Sequence, residues 1–229
     1  GAMLRIYYTV FANAEWSWRP LLTAIAIISM VFGSLVAIAQ RDVKRMLAYS
    51  SIAHAGFLLS GVIALSKSGL ESSIFYLFAY GVATIGAFAI VTMVRDSAGE
   101  VSDVNRWVGL GKKSPLVASV FSLFLLSFAG IPLTSGFVGK FAIFTAAYKS
   151  GNISVVVAGV LASAIAAFFY IRIIVMMYFS DPVEDGTSVV IPSPVTVATI
   201  AICAVATIVM GVYPQPVISA INSLAFFAG

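Results

Sequence analysis

The chain of 229 residues is 61% hydrophobic and only 10% charged, with a mean hydropathy of +1.05. It has too few polar residues to cover the surface of a soluble globular domain, so we expect a membrane protein surrounded by the lipid bilayer. The net charge of +4 does not indicate a nucleic-acid partner, because the 13 basic residues are scattered at the ends of apolar runs, as in loops and helix ends that face lipid headgroups.

The cysteine and histidine content argues against a redox cofactor or metal in this chain. Cys203 is the only cysteine and His54 the only histidine. These two residues cannot form a disulfide framework, a cysteine-based zinc site, an iron–sulfur cluster or a bis-histidine haem site. The sequence GLGKKS, which begins at Gly109, fails the dinucleotide-binding fingerprint at its third glycine. We therefore expect Cys203 to pack as a small hydrophobic residue.

The order of apolar and polar stretches predicts an all-α, polytopic membrane protein that forms a single transmembrane domain over residues 1–229. Residues 1–8 are typical of the last turns of an apolar helix and lack the features of a signal peptide. About six membrane-spanning helices follow, each close to the roughly 20 residues that a bilayer requires. Their predicted bounds are 21–39, 46–65, 72–94, 115–147, 153–179 and 194–213.

The polar connectors between these spans carry most of the charge. Residues 13–19 hold two tryptophans typical of a membrane interface, and Pro20 is expected to begin the first full span. The further connectors are expected at 40–45, 66–71, 95–114, 149–152 and 181–186. The sequence PQP, beginning at Pro214, is expected to end the last span and leave a short apolar tail.

The run over residues 115–147 is too long for one straight helix across a bilayer. At about 1.5 Å per residue it would be about 50 Å long, whereas the hydrocarbon core is about 30 Å thick. Pro132 removes a backbone donor, and Gly130, Gly136 and Gly139 lower the cost of an irregular backbone. We therefore predict a break around Gly130–Gly136, with Lys140 just beyond it near membrane depth.

The basic residues also predict the orientation in the membrane. If successive spans alternate in direction, one side carries Arg41, Lys44, Arg45, Arg95, Arg106, Lys112 and Lys113. The other side carries Arg5, Arg19, Lys67 and Lys149. Cytoplasmic loops are enriched in Lys and Arg, so we expect the first side to be cytoplasmic, although the acidic connector at 181–186 also lies there. The C-terminus would then lie on the outer side.

Only three ionisable side chains fall inside the predicted spans: His54, Lys140 and Arg172. A charge in hydrocarbon costs several kcal/mol, so each of them requires an explanation. Lys140 has two possible roles. In the structural role it extends to an interface or bonds the free carbonyls of the broken helix. In the other role it carries protons, since a low-dielectric site disfavours its charged form. Irregular backbone at membrane depth is tolerated where it is covered by protein or lines a cavity, which favours the proton-carrying role.

His54 has two comparable interpretations. It either bonds a neighbouring carbonyl as a structural residue or carries protons, because imidazole titrates near neutral pH. Tyr49, Ser50 and Ser51 precede it and could hold water. The other candidates are weaker: Arg172 stays charged and is expected to pair or to extend toward the inner side, and Lys44 is expected to join a cluster of charges at a helix end.

Two segments resemble a known family. The sequence DVKRMLAYSSIAHAG from Asp42 to Gly56 resembles the signature helix of the antiporter-like subunits of respiratory complex I and of the related multi-subunit cation/proton antiporters. AGIPLTSGFVGKF from Ala129 to Phe141 resembles the broken helix of the same family. The lysine followed by Phe and the closing GVYPQP are similar to one type of complex I subunit, whereas another type usually has a glutamate at the lysine position.

This resemblance implies that the chain is the C-terminal part of a 14-helix subunit: the end of helix eight, then helices nine to fourteen. Lys140 would match the terminal lysine that exchanges protons with the outer side, and His54 the group that links it to a central lysine. The family's earlier glutamate and lysines do not occur in this sequence.

The resemblance also implies the setting in which the chain works. It would act with other membrane-arm subunits in the inner (plasma) membrane, where electron transfer from NADH to quinone drives proton translocation. Other subunits would carry NADH, FMN, the iron–sulfur clusters and the quinone. A cation/proton antiporter without a redox partner is the alternative, and a scaffold that only fills the membrane arm is a third possibility.

Overall fold

In the computed structural model, residues 15–96, 99–181, 188–189 and 193–224 are described. The predicted helix end at residues 1–8 and most of the acidic connector lie outside these ranges. The described part contains α1 (Glu15–Ile38), α2 (Val43–Ile63), α3 (Lys67–Met93), α4 (Leu110–Lys113), α5 (Pro115–Ala129), α6 (Ser135–Lys149), α7 (Ile153–Phe179), α8 (Pro194–Val212) and α9 (Gln215–Leu224). Its short strands are β1 (Val94–Asp96), β2 (Gly99–Glu100) and β3 (Ser188–Val189).

The predicted fold class is confirmed. In the described part, α1, α2, α3, α7 and α8 are long and apolar enough to cross a membrane. The remaining crossing is made by α5 and α6, which have 15 residues each and are therefore about 22 Å long. The chain is thus a multi-pass membrane protein with one broken helix, as the run over residues 115–147 predicted.

The break is shorter than predicted. It covers residues 130–134, and Gly136 and Gly139 lie inside α6. A Cβ atom at Gly136 would lie 1.8 Å from the carbonyl oxygen of Ser127, so this glycine allows α5 and α6 to approach closely and does not loosen the backbone. The left-handed residues of the break are Gly130, with φ +80°, and Leu133, with φ +73°.

Three helices begin earlier than predicted, and among them α2 begins at Val43 rather than at residue 46. Helix α1 begins at Glu15, so Pro20 lies inside it, past the first turn, and lacks the amide that would bond the carbonyl of residue 16. Helix α3 begins at Lys67, because the Ser66 hydroxyl accepts a 3.1 Å hydrogen bond from the Gly69 amide and caps it. The expected apolar tail contains the helix α9, which begins directly after Pro214.

The connectors gather on two faces, as the alternation of spans predicted. On one face, β1 pairs with β2 and β3. The connector over residues 95–114, called the long connector below, bonds the α1–α2 turn on this face, since the Val104 amide donates to the Arg41 carbonyl at 2.8 Å. Lys112 bonds Asp181 at 2.6 Å on the same face. On the other face, the Arg19 guanidinium bonds the Ser150 carbonyl at 3.3 Å.

Three apolar clusters form the interior of the described part. One surrounds Trp107 and Phe121 next to the long connector, and the second surrounds Phe57 and Ile143 nearer the opposite face. A smaller third cluster contains Phe75, Met210 and Ile221. The broken helix contributes to the first two clusters, since α5 packs in the first and α6 in the second. Within the break, Thr134 is buried, whereas Pro132 and Leu133 are exposed on the surface of the chain.

Candidate functional site

The end of α5 is closed first by its own backbone. An α-helix leaves its last four carbonyl groups without intrahelical partners. The Gly130 amide donates to the Leu126 and Ser127 carbonyls, both at 3.0 Å, and the Ile131 amide donates to Leu126 at 3.0 Å. The left-handed backbone at Gly130 makes this geometry possible. The carbonyls of Phe128 and Ala129 remain to be satisfied.

Lys140 satisfies both of these carbonyls from the second half of the broken helix. Its Nζ donates to the Phe128 carbonyl at 2.7 Å, to the Ala129 carbonyl at 3.3 Å and to the Ser163 hydroxyl on α7 at 2.9 Å. The side chain is 4% exposed. A protonated lysine has three N–H donors, and this site supplies three acceptors. The hydrogen bonds that the structural role of Lys140 predicts are therefore present.

A cleft of about 290 Å³ reaches Lys140 between α6 and α7. Gly130, Phe137, Phe141 and Ser163 also line it. The ammonium thus lies at the inner end of an opening in the described part of the chain, although little of the side chain is exposed. This arrangement agrees with the rule that irregular backbone in a membrane lines a cavity or is covered by protein.

His54 lies on α2 in a cage of aromatic residues and is 2% exposed. Its Nδ1 is 2.5 Å from the Tyr76 hydroxyl, and its Nε2 is 3.4 Å from the Tyr170 hydroxyl. Tyr80 stacks on the imidazole with ring centroids 4.3 Å apart. Both ring nitrogens therefore face a hydroxyl that can donate or accept a hydrogen bond.

The two predicted proton carriers are neighbours without direct contact. Both contact the Phe57 ring: the Lys140 Nζ is 4.8 Å from its centroid, and the His54 and Phe57 rings meet edge to face with centroids 5.6 Å apart. No hydrogen bond joins Lys140 to His54 within the part of the chain that the structure describes. A proton passing between them would need a bridging group such as water.

The secondary candidates lie outside this centre or on its border. Lys44 pairs with Glu100 on the long connector, at the helix-end position that the sequence predicted. The hydroxyls of Ser50 and Ser51 bond the Leu47 carbonyl at 2.8 and 2.9 Å, and Tyr49 packs against the apolar cluster around Trp107.

Arg172 is exposed on α7. The predicted inward extension of this side chain is not tested by the structure. Among the described residues, no three His, Cys, Asp or Glu side chains are grouped so that they could hold a metal ion.

The sequence reasoning missed Tyr76, Tyr170 and Ser163. Each of them was visible as a polar side chain in an apolar span. Tyr76 is followed by Tyr80 one helical turn later, and Ser163 by Tyr170 two turns later, so each pair lies on one helix face. Neutral hydroxyl groups of this kind are compatible with a membrane span, so their presence alone does not indicate a site.

The fold and this site define a class of membrane protein. Residues 1–166 match the family described as NADH:quinone oxidoreductase/Mrp antiporter, TM, and the chain belongs to that family. NADH-quinone oxidoreductase subunit N of Rhodococcus opacus (strain B4) is 55% identical over 227 residues, which cover 99% of this chain and 42% of the relative. The chain thus spans about two-fifths of the length of such relatives. The predicted resemblance to an antiporter-like complex I subunit is confirmed.

Solved structures share the arrangement. A chain of respiratory complex I from Thermus thermophilus with bound aureothin is 31% identical, with a TM-score of 0.79 over 88% of this chain and 45% of that one. A chain of the Mrp complex from Dietzia sp. DQ12-45-1b is 22% identical, with a TM-score of 0.84 over 98% of this chain and 49% of that one. At 22% identity the likeness concerns the fold alone.

Proposed function

We propose that this chain is part of a membrane-arm subunit of a proton-translocating NADH:quinone oxidoreductase, with Lys140 and His54 as its proton-carrying groups. The observation that carries the proposal is the buried Lys140 ammonium at the break between α5 and α6, at the inner end of a cleft. Burial of a cation at membrane depth is costly, and such residues mark ion pathways in membrane proteins.

The chemistry follows from the three acceptors around the Lys140 Nζ. When the ammonium releases a proton, only two N–H donors remain, and one of these three acceptors loses its donor. The Ser163 hydroxyl can then rotate and donate to the amine, which keeps the neutral form bonded. The site therefore accommodates both protonation states of Lys140 without movement of the backbone.

The proposal places redox chemistry on other subunits. NADH, FMN, iron–sulfur clusters and the quinone would be bound elsewhere in the complex, and this chain would translocate protons without transferring electrons. Support comes from the R. opacus relative, which is named as a subunit of an NADH-quinone oxidoreductase. The same proposal includes two further points. This chain would be the C-terminal part of a 14-helix subunit, and that subunit would contact neighbouring membrane-arm subunits.

The proposed location is the plasma membrane of a bacterial cell. The face that carries Arg41, Lys112 and the long connector would be cytoplasmic, because it holds more Lys and Arg than the opposite face. The C-terminus would then lie on the outer side.

The test is proton pumping by the assembled complex in proteoliposomes with NADH and a quinone. Lys140→Ala should lower both pumping and quinone reduction while the complex still assembles. Lys149→Ala is the matched control, because Lys149 is an exposed lysine at the end of the same helix. His54→Ala should reduce turnover less than Lys140→Ala. Normal pumping by an assembled Lys140→Ala complex would remove this lysine from the pathway.

The alternative is a cation/proton antiporter without a redox partner. The fold shared with the Mrp complex makes it a specific competitor. Purification of the full-length protein separates the two: NADH dehydrogenase activity should accompany it through purification. Cation-driven proton exchange by a purified assembly without that activity would favour the antiporter.

A further inference from the structure

Tyr76 connects the two halves of the site. Its hydroxyl is 2.5 Å from the Nδ1 of His54. Its ring lies against Gly139, where an added Cβ would come within 2.5 Å of the Tyr76 Cδ2. Gly139 directly precedes Lys140 in α6. One buried side chain therefore touches both the imidazole and the helix that carries the lysine.

The contacts around His54 distinguish Tyr76 from the other tyrosines. A neutral imidazole has one nitrogen that donates and one that accepts, and the partners of these nitrogens select which is which. The Tyr76 hydroxyl lies 2.5 Å from the Nδ1 of His54, whereas the Tyr170 hydroxyl lies 3.4 Å from its Nε2. The Tyr80 hydroxyl donates to Ser51 at 2.7 Å, so this residue contributes ring stacking alone.

We propose that Tyr76 is a positioning residue for His54, held in place by Gly139, so that the geometry of α6 sets the orientation and proton placement of the imidazole. The proposal rests on the proposed function of His54 as a proton carrier. The titratable or charged groups near His54 are Tyr76 and Tyr80 from α3, Tyr170 from α7, and Lys140 from α6, which contacts the same Phe57 ring as His54.

The first test compares Tyr76→Phe with Tyr80→Phe in the assembled, full-length complex. Both changes remove one hydroxyl and keep the ring. Tyr76→Phe should lower the rate of proton pumping about fivefold, the factor that corresponds to one buried hydrogen bond. It should also shift the pH midpoint of pumping, and Tyr80→Phe should leave that midpoint in place. Equal pH profiles for the two variants would overturn the proposal.

The second test keeps the Tyr76 hydroxyl and displaces the ring. Gly139→Ala should shift the pH midpoint in the same direction as Tyr76→Phe, since the added methyl group pushes the phenol away from its present position. An assembled Gly139→Ala complex with the parent pH profile would exclude the role of Gly139.

These outcomes are separable from failure of the proposed function. Normal pumping by Lys140→Ala overturns the proton-carrying role of the site itself. Loss of pumping in Lys140→Ala, combined with identical behaviour of Tyr76→Phe and Tyr80→Phe, overturns only the positioning role of Tyr76.

Discussion

The Lys140 Nζ lies 2.7 Å from the carbonyl oxygen of Phe128, so the cation of α6 closes the C-terminal end of α5. Together with the backbone bonds from Gly130 and Ile131, this contact leaves none of the last four carbonyls of α5 without a donor. A cation at this end also interacts favourably with the helix dipole. Lys140 thus has a structural role, because it bonds the free carbonyls at the end of α5, and its proposed proton transfer is a second role.

Lys140→Arg separates these two roles. Arginine keeps the charge and the donors but does not release its proton in proteins. We expect the variant to assemble and to unfold near the parental temperature, yet to pump far more slowly. Thermal unfolding and NADH-driven pumping, with Lys149→Arg as the control, provide the measurement. Pumping at the parental rate by Lys140→Arg would indicate that the lysine only bonds the carbonyls at the end of α5.

Gly130→Ala and Gly151→Ala form a matched pair. Their φ values are +80° and +79°, a region that costs a non-glycine residue about 1–2 kcal/mol, so both variants should lose similar stability. Only at Gly130 would the new Cβ lie 3.0 Å from the Lys140 Cδ; at Gly151 it would meet open space. Pumping should therefore fall only in Gly130→Ala. Equal pumping by both variants, at equal loss of stability, would contradict this expectation.

Gly136→Ala should disrupt the approach of α5 to α6. Its new Cβ would lie 1.8 Å from the Ser127 carbonyl oxygen, which is backbone and cannot turn aside. We expect a loss of about 3 kcal/mol or more, seen as a lower unfolding temperature or failed assembly. Gly81→Ala is the control, because nothing lies within 4 Å of its Cβ and alanine favours a helix interior by about 0.5–1 kcal/mol. An unchanged unfolding temperature for Gly136→Ala would show that the two helices can separate there.

The long connector should loosen in acid. The hydrogen bond and the charge of Lys44 hold the pKa of Glu100 below its ordinary value of 4.5. Partial burial acts to raise the pKa of Asp42, but hydrogen bonds from Ser102 and from the backbone of Arg45 and Lys44 lower it overall. A lowered folded-state pKa contributes stability above the unfolded-state value, and that stability is lost as the pH falls through the folded-state value.

Hydrogen exchange can measure this loosening. Protection of the Val101 amide, which bonds the Val94 carbonyl at 3.0 Å, should decrease below about pH 4.5 after correction for intrinsic exchange. Glu100→Gln should have lower protection at neutral pH and a flatter dependence on pH. The same acid sensitivity in Glu100→Gln as in the parent would assign the effect to another group.

The sequence by itself determined the approximate spans, the presence of a break and the position of Lys140 just beyond it. Apolar run length, the position of Pro132 and the scarcity of charge are properties of neighbouring residues and of the bilayer, so they can be inferred without knowledge of distant contacts. The extent of the break was less well determined. A glycine such as Gly136 serves either flexibility or close packing, and only the neighbouring helix distinguishes these uses.

The tertiary structure decided what surrounds the ionisable groups. Ser163 lies 23 residues from Lys140, and Tyr170 lies 116 residues from His54, yet helix packing brings each pair together. It also places the Phe57 ring in contact with both the lysine and the histidine. Such partners are selected by the rotation and depth of each helix against its neighbours, and these depend on the summed packing of many side chains. Local sequence therefore identified Lys140, and the packing of distant helices defined its site.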